Sequence, residues 1–341
     1  MMEKFSERSF NHSYARLWQK VFSDPKPFVK MFLPRHFERG EAFGVKLHHR
    51  LIAGTYCKPY LMKVGEETAE VSYLCGLATA GCYRRRGWAA KVVEEALRTL
   101  KAEGRLLVTL IPSNERNRRY DGNHFAFANC FHYTDRYITP EGEPTFGQMA
   151  QTTLLSEEWL QFIEKELKGR KCGLLHSREQ LMTVMKSIQM DGGGLYGLRR
   201  EGNLQAVAVV EQRGTTLRVS ELMGEPENGL ELLRHVARHR GKNAPLLLRD
   251  FTTNEKTGGM ARVLDLPRLA GLCAQALPER KLRFRVSGDH LFDNHNTTYA
   301  LDHGRCLVGG PTEDCDLVVT PAQATELLLE PLHPILSLMV D

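Results

Sequence analysis

The amino-acid sequence predicts a mixed α/β protein built from more than one domain. The chain has 341 residues, whereas one domain usually takes about 100–200. Residues 71–111 follow the order strand, loop, helix, strand, which makes a βαβ unit with two parallel strands. Paired helices, a strand meander and then a helix and a strand recur from residue 156 onward. This recurrence indicates a duplicated fold whose second copy has decayed.

The first region is expected to open with helices and to continue as a meander of antiparallel strands. Apolar positions recur at helical spacing over residues 12–22, and a second short helix is expected over 28–32. Strands are predicted over 45–47, 51–56 and 60–64. The strand that follows, 71–79, contains Gly76. Because a glycine inside a strand often marks a bulge or a close approach, we expect one of these at Gly76.

A helix over residues 88–101 follows a loop over 80–86. Gly104 is placed to end this helix as a C-terminal cap. An apolar strand over 105–111 completes the βαβ unit. The predicted apolar face of the helix consists of Trp88, Val92, Ala96 and Leu100.

Two further regions follow. Turn-forming residues at 139–144 indicate a first boundary, and a second boundary is placed near Gly259. The predicted domains are therefore 1–145, 146–258 and 259–341. In the middle region, helices are predicted at 156–167, 177–188 and 230–239, and strands at 194–198, 206–212, 216–221 and 245–250. In the last region, helices are predicted at 267–276 and 321–329, and strands at 281–287, 297–301, 305–308 and 316–319.

The composition limits the class of protein. It is 42% hydrophobic and 26% charged, close to the average of soluble globular proteins. A net charge of +5 suits a small anionic cofactor and disfavours a dedicated nucleic-acid binder. No stretch approaches the ~18 apolar residues of a membrane span. The eight cysteines form no C-x-x-C pair, so they predict reduced thiols in a cytoplasmic protein.

The motif Arg84-Arg85-Arg86-Gly87-Trp88-Ala89 lies at the predicted start of a helix. A helix start presents unpaired N–H groups and the positive end of the helix dipole. Gly87 lets a ligand approach the backbone closely, and Ala89 keeps the adjacent surface small. The arginines add fork-shaped donors for phosphate oxygens. Together these features predict a cradle for a pyrophosphate group.

The spacing of this motif is weak evidence when taken alone. Gln189-Met190-Asp191-Gly192-Gly193-Gly194 has the same spacing, but it follows a helix and precedes a strand. No helix start is available there, so this second match is predicted to be a turn. The inference therefore depends on the strand before Arg84 and the helix after it.

The sequence resembles a known family at these positions. Tyr73–Thr79, the Arg84–Ala89 loop and Leu110-Ile111-Pro112 resemble the GNAT superfamily of N-acetyltransferases, and more narrowly its Eis-like branch. That branch carries an acetyltransferase domain, a degenerate second copy and a C-terminal sterol-carrier-protein-like domain. The resemblance thus implies two tandem GNAT-like mixed-sheet domains and a small C-terminal α+β domain. Gly259–Val263 is similar to the entry into that last domain.

The resemblance also implies a cosubstrate, acetyl-CoA, bound between two parallel strands that splay apart. The pantetheine arm would pair with Leu77, Ala78 and Thr79, and a backbone N–H of the same edge would polarise the acetyl carbonyl. No metal is expected. The residues implied to bind the rest of the cosubstrate are Arg84, Arg85, Arg86, Gly87, Trp88, Ala89 and Asn114.

Catalysis in the Eis-like branch implies a tyrosine acid and a C-terminal carboxylate base. The base would be Asp341. The tyrosine is expected in a segment resembling F-Y-x-x-x-G-F, but the matching stretch, Phe125–Phe131, has Ala126 in its place. Tyr120 and Tyr133 are the alternatives for the acid, and for both a packing or surface role is favoured.

The leading functional prediction is direct transfer of an acetyl group from acetyl-CoA to a primary amine whose identity the sequence does not give. The loss of the tyrosine motivates a rival, a CoA- or acyl-CoA-binding sensor or adaptor without efficient catalysis. An RNA-binding role for the arginines is disfavoured by the modest net charge. No membrane partner is expected, and the resemblance implies a homo-oligomer.

One further polar segment, residues 289–295, has two interpretations. Its carboxylates and histidines are of the types that ligate metals, but a plain turn is favoured. The polar residues concerned are Asp289, His290, Asp293, Asn294 and His295.

Overall fold

The structure, a computed structural model, describes residues 2–5, 7–22, 24–37, 41–112, 125–152, 154–239, 245–252, 256–309 and 315–339. These residues fall into two compact units. The first unit takes its residues from 1–131 and 257–334, and the second from 132–256 and 335–340. Helices and mixed sheets occur in both, so the predicted α/β class is confirmed.

In chain order, the described helices are α1 (Glu7–Phe22), α2 (Lys26–Phe37), α3 (Trp88–Ala102), α4 (Glu157–Gly169), α5 (Arg178–Met190), α6 (Pro226–His239), α7 (Leu266–Ala276) and α8 (Pro321–Leu329). The described strands are β1 (Met2–Phe5), β2 (Glu41–Leu47), β3 (Arg50–Val64), β4 (Glu67–Thr79), β5 (Leu107–Leu110), β6 (Ala128–Ile138), β7 (Gln148–Thr152), β8 (Cys172–Leu175), β9 (Gly194–Arg200), β10 (Asn203–Arg213), β11 (Thr216–Gly224), β12 (Leu246–Asp250), β13 (Lys256–Val263), β14 (Leu282–Val286), β15 (Thr298–Asp302), β16 (Arg305–Val308) and β17 (Leu317–Val319). None of the described helices is long and apolar enough to cross a membrane.

The main sheet of the first unit has the strand order β1-β2-β3-β4-β5-β13. Strands β4 and β5 are parallel and are joined through α3, which confirms the predicted βαβ unit. The prediction of two strands over 51–56 and 60–64 is wrong, because β3 is one continuous strand. Pro59 lies within β3, but the ladder with β2 reaches only Cys57. Its missing N–H therefore removes no bond from that ladder.

Helix α3 packs one face against this sheet. Its first residue, Trp88, is partly buried against the same apolar cluster. Its buried residues contact Val108 and Leu110 of β5 in one apolar cluster. Gly104, with φ of +81°, ends the helix as predicted, and its N–H donates to the Lys101 carbonyl at 2.9 Å. The buried residues of α3 are Val92, Val93, Ala96, Leu97 and Leu100.

The second unit repeats this layout, as the sequence predicted. Its sheet has the order β6-β12-β11-β10-β9-β7, and β11 and β12 are parallel with α6 between them. Helix α6 begins at Pro226, directly after β11 ends at Gly224, so no arginine–glycine loop precedes it. The Gly192–Gly194 segment connects α5 to β9, which confirms its interpretation as a turn.

A smaller sheet with the order β16-β15-β14-β17 lies in the C-terminal part of the first unit, with α7 and α8. Helix α8 begins with a capping box formed by Thr320 and Gln323. The Thr320 hydroxyl accepts from the Gln323 N–H at 3.3 Å, and the Gln323 side chain accepts from the Thr320 N–H at 2.9 Å. The domain boundaries at 145 and 258 stay predictions.

A buried charged cluster joins this C-terminal part to α3 and β13. Arg262 donates to both carboxylate oxygens of Asp289 at 2.7 Å, and Asp289 pairs with His295 at 2.9 Å. The other ring nitrogen of His295 lies 3.0 Å from the Lys101 ammonium. The segment is a turn, as favoured, but two of its polar side chains are buried within the fold. Among the described residues, no group of His, Cys, Asp and Glu could hold a metal ion.

The cluster lowers the pKa of His295 and also that of Asp289. Burial lowers the pKa of His295, and the positive charges of Lys101 and Arg262 oppose the attraction of Asp289. Burial favours a higher pKa for Asp289, but the hydrogen bond from His295 and the charge of Arg262 outweigh it and lower that pKa. Folded His295 is therefore held neutral at a pH where an exposed histidine takes up a proton.

The free energy of unfolding is expected to fall as the pH drops from about 7.5 to about 5. In that range the unfolded chain protonates His295, with a pKa of about 6.5, while the folded chain resists. Asp289 contributes only at lower pH, because its ordinary pKa is about 3.9. Urea unfolding across this range should show a smaller pH slope for His295→Asn. His303→Asn, at a side chain that is 80% exposed, should keep the slope, and equal slopes in both variants would contradict the expectation.

Candidate cosubstrate site

Strands β4 and β5 separate partway along their length. They pair in parallel at Ser72 with Val108 and at Tyr73 with Thr109. Beyond this point β5 continues beside β13, whereas β4 runs on to Thr79 along β3. The sheet therefore opens between β4 and β5, with the last residues of β4 along one side of the opening. The resemblance places the pantetheine arm along this part of β4, which stays a prediction.

The opening coincides with a β-bulge at Gly76. The ladder between β3 and β4 shifts register between Gly54 and Tyr56, and Gly76 has φ of +64°. A Cβ at this position would overlap the ring of Trp18 and the hydroxyl of Tyr14. Both interpretations offered for Gly76 are thus confirmed, since the residue forms a bulge and also lies against another element, α1.

The loop between β4 and α3 presents an exposed helix start. Gly87, with φ of +78°, lies at the N-cap position and provides no side-chain cap, and the first turn of α3 has no acidic residue. A Cβ at Gly87 would meet no atom within 4 Å, so the space in front of the helix is open. The first N–H groups of α3 and its positive dipole end consequently face this space.

The three arginines of the loop are exposed, and within the described part of the chain none forms an ion pair. Arg84 Nε donates to the Thr79 carbonyl at 3.2 Å, which ties the loop to the end of β4. The Arg86 guanidinium lies 5.9 Å from the centre of the Tyr83 ring. Their positive charge therefore remains available to an anion placed at the start of α3.

Two side-chain polar atoms near this opening are buried and have no hydrogen-bond partner among the described residues. They are the Thr79 hydroxyl and the Trp88 indole nitrogen. A buried polar group without a partner costs free energy, so such atoms point to a missing partner. The sequence singled out Thr79 for its backbone and Trp88 as part of the loop, and nothing in it distinguished these side-chain atoms.

The structure brings together most of the residues predicted to bind the cosubstrate. Leu77, Ala78 and Thr79 end β4, and Arg84 to Ala89 form the loop and the first turn of α3. Ala78 is fully buried, while Leu77 packs against the apolar cluster beneath α3. Asn114, Tyr120 and Asp341 lie outside the described residues.

The segment expected to supply the acid contains no proton donor at the expected position. Ala126 is half-buried with φ of +49°, between the buried rings of Phe125 and Phe127. In the second unit, Tyr133 packs under the Arg249 guanidinium at 3.7 Å from its ring centre. The packing role favoured for Tyr133 matches this contact.

The described part of the C-terminal tail is a buried segment of the second unit. Ile335 pairs with β8: its N–H donates to the Cys172 carbonyl at 3.1 Å, and its own carbonyl accepts from the Leu174 N–H at 3.2 Å. Ser337 is 7% exposed and accepts a hydrogen bond from Arg170 at 2.9 Å. The tail is therefore held in place up to this residue.

The comparisons with known proteins agree with this geometry. Residues 5–122 match the family model described as the acetyltransferase (GNAT) domain. No curated protein sequence gives a significant match.

Solved structures share the fold over nearly the whole chain. They include a probable N-acyltransferase of unknown function from Enterococcus faecalis V583 (TM-score 0.76, 12% identity), a GCN5-related N-acetyltransferase from Anabaena variabilis ATCC 29413 (0.75, 11%) and Eis1 from Mycobacterium abscessus (0.73, 13%). Each alignment covers 96% of this chain and 89% of the other. At such identity the likeness establishes the fold. The part of the chain that carries the opening of β4 and the Arg84–Ala89 loop, residues 5–122, is thus similar to the GNAT acetyltransferase domain.

Proposed function

We propose that this domain binds acetyl-CoA at the Arg84–Ala89 loop and transfers the acetyl group to a primary amine. The observation that carries the proposal is the open start of α3, without a side-chain cap, beside three arginines that form no ion pair with any described residue. A pyrophosphate placed there would accept from backbone N–H groups and from guanidinium groups at once.

The separated end of β4 supports a place for the pantetheine arm. An extended ligand along Leu77 to Thr79 can exchange backbone hydrogen bonds with the strand edge, as a further strand would. The Thr79 hydroxyl and the Trp88 indole N–H are buried donors next to this edge. A bound amide or phosphate would give them the partners that they lack among the described residues.

The chemistry asks little of side chains. The amine nitrogen attacks the thioester carbonyl carbon, a C–N bond forms, the C–S bond breaks, and the sulfur leaves as a thiolate. The amine loses one proton and the thiolate gains one. Because a thiol has a pKa of about 8.5, its departure needs only modest help from an acid. Ala126 cannot donate a proton to the departing thiolate. Its presence is thus compatible with turnover.

Ala126 stands where the acid is expected, and this loss also favours a second candidate, a CoA- or acyl-CoA-binding sensor or adaptor. The two candidates share the cosubstrate site and differ in the acyl-transfer step. Clear binding of acetyl-CoA without thiol release for any amine in a panel of polyamines, aminoglycosides and lysine peptides would favour the sensor.

Beyond the first domain, we propose the Eis-like arrangement that the sequence resembles. A second GNAT-like domain whose helix α6 follows β11 without a phosphate loop supports a degenerate copy. The small sheet β14–β17 with α7 and α8 supports a sterol-carrier-protein-like C-terminal domain. We extend the proposal to a homo-oligomer and to the cytoplasm, where cysteines that form no disulfide, as these eight do not, stay reduced.

Calorimetric titration with acetyl-CoA tests the central proposal. In a triple variant, Arg84, Arg85 and Arg86 are all changed to alanine. This variant is expected to bind acetyl-CoA at least about 100-fold more weakly, because charge-assisted hydrogen bonds are lost. Arg98→Ala is the matched control, since Arg98 is an exposed arginine of α3 paired with Glu94. Equal affinity in the triple variant and the control would overturn the proposed site.

A further inference from the structure

Two side-chain hydroxyls hold consecutive carbonyls at the bulge of β4. The Tyr14 hydroxyl, on α1, donates to the Gly76 carbonyl. The Thr55 hydroxyl, on β3, donates to the Cys75 carbonyl at 3.0 Å. Tyr14 and Thr55 are both fully buried. The two peptide planes on either side of Gly76 are therefore oriented from outside the strand.

Each held carbonyl fixes the direction of an N–H. In a trans peptide the C=O and the N–H of one plane point in opposite directions. The N–H of Gly76 consequently points away from Thr55 and β3, towards the side of β4 from which β5 diverges after Tyr73. The N–H of Leu77 points away from Tyr14.

Helix α1 is itself seated firmly on the bulge. The Trp18 ring lies against Gly76, in the space that any side chain at that position would occupy. The Trp18 indole nitrogen donates to Asp24 at 2.6 Å, and its ring packs on Phe32 with 5.3 Å between centres. Tyr14 is thus presented to the Gly76 carbonyl by a helix with little freedom to shift.

We propose that Thr55 and Tyr14 are positioning residues for acyl transfer, which orient the backbone N–H groups of Gly76 and Leu77, and that these N–H groups polarise the thioester carbonyl. Negative charge develops on that oxygen as the amine attacks, and a donor fixed in advance stabilises it without reorganisation. Neither hydroxyl touches the cosubstrate in this scheme, since each acts through a backbone plane. The inference rests on the proposed binding of acetyl-CoA at this domain.

The direct test is infrared spectroscopy of acetyl-CoA labelled with ¹³C at the thioester carbonyl, bound to the full chain. Polarisation should lower the carbonyl stretching frequency on binding to the unaltered protein. Tyr14→Phe and Thr55→Val should each lose part of this lowering, and Thr55→Ser, which keeps the hydroxyl, should retain it. In Tyr14→Phe and Thr55→Val, acyl transfer should slow about tenfold. Affinity for CoA should change by less than about threefold, because neither substitution alters the Arg84–Ala89 loop.

Tyr299→Phe is the matched control. The Tyr299 hydroxyl is also a buried donor to a backbone carbonyl, that of His295, at 3.3 Å, but it lies in the C-terminal part of the first unit. It should leave the carbonyl frequency unchanged. If Tyr14→Phe does not fold, as circular dichroism would show, Thr55→Val decides.

The outcomes separate this inference from the proposed function. Absence of acetyl-CoA binding to the unaltered protein would refute both. Binding without a lowered carbonyl frequency, or with a frequency that neither Tyr14→Phe nor Thr55→Val changes, would overturn the positioning role and leave the binding site standing.

Discussion

Gly87→Val is expected to reduce acetyl-CoA affinity by at least about 100-fold, because the pyrophosphate loses its place at the start of α3. The added side chain enters the open space where the phosphates would approach the backbone. A φ of +78° is also unfavourable for a β-branched residue and strains the loop by about 1–3 kcal/mol. Calorimetric titration of the full chain measures the change in affinity.

The same helix offers a matched control at its other end. Gly104 has φ of +81°, and a Cβ there would also meet no atom within 4 Å. Gly104→Val therefore introduces the same strain away from the loop. Comparable melting temperatures for the two variants, with binding lost only in Gly87→Val, would assign the effect to the ligand. Full affinity for acetyl-CoA in Gly87→Val would show that the pyrophosphate does not bind at the start of α3.

Asp289→Asn is expected to lower the free energy of unfolding of the first unit by about 3–5 kcal/mol. Arg262 is 1% exposed, and the substitution leaves its positive charge buried without a counter-ion. The amide also cannot accept from Arg262 and His295 as the carboxylate does. Urea unfolding at neutral pH, followed by circular dichroism, measures the loss.

Asp302→Asn supplies the comparison for this prediction. Asp302 pairs with Lys281 at 3.5 Å, and its side chain is 54% exposed, so its loss should cost less than about 1 kcal/mol. Replacing both buried partners with apolar residues, in Arg262→Met with Asp289→Leu, should recover part of the stability. A loss in Asp289→Asn no larger than in Asp302→Asn would show that the buried pair contributes little.

The cosubstrate loop could be predicted because its signals are local. Gly87, the arginines and the amphipathic pattern of α3 lie within about twenty residues, and each one specifies backbone conformation or helix position by itself. The β-bulge at Gly76 was recognisable for the same reason. What fills the space beside that glycine was not, since Tyr14 lies 62 residues earlier in the sequence.

The buried cluster shows the same limit more sharply. Lys101 and His295 are separated by 194 residues, and neither carries a local sign that it will lie beside the other. Residues 289–295 read as a polar turn because charged side chains usually lie in solvent. Only the packing of the C-terminal part against α3 and β13 turns Asp289 and His295 into interior groups.

Strand β13 and the contacts of Lys101 have a consequence for the modularity of the protein. The segment that matches the family model ends before β13, yet the last four residues of β13 pair with all four residues of β5. Cut out at its family boundaries, that segment would expose an apolar strand edge, which invites aggregation. It would also lose the Leu264 carbonyl to which Lys101 donates. A fragment that keeps these contacts therefore has to combine residues 5–122 with residues from 257 to 295, which makes it discontinuous along the chain.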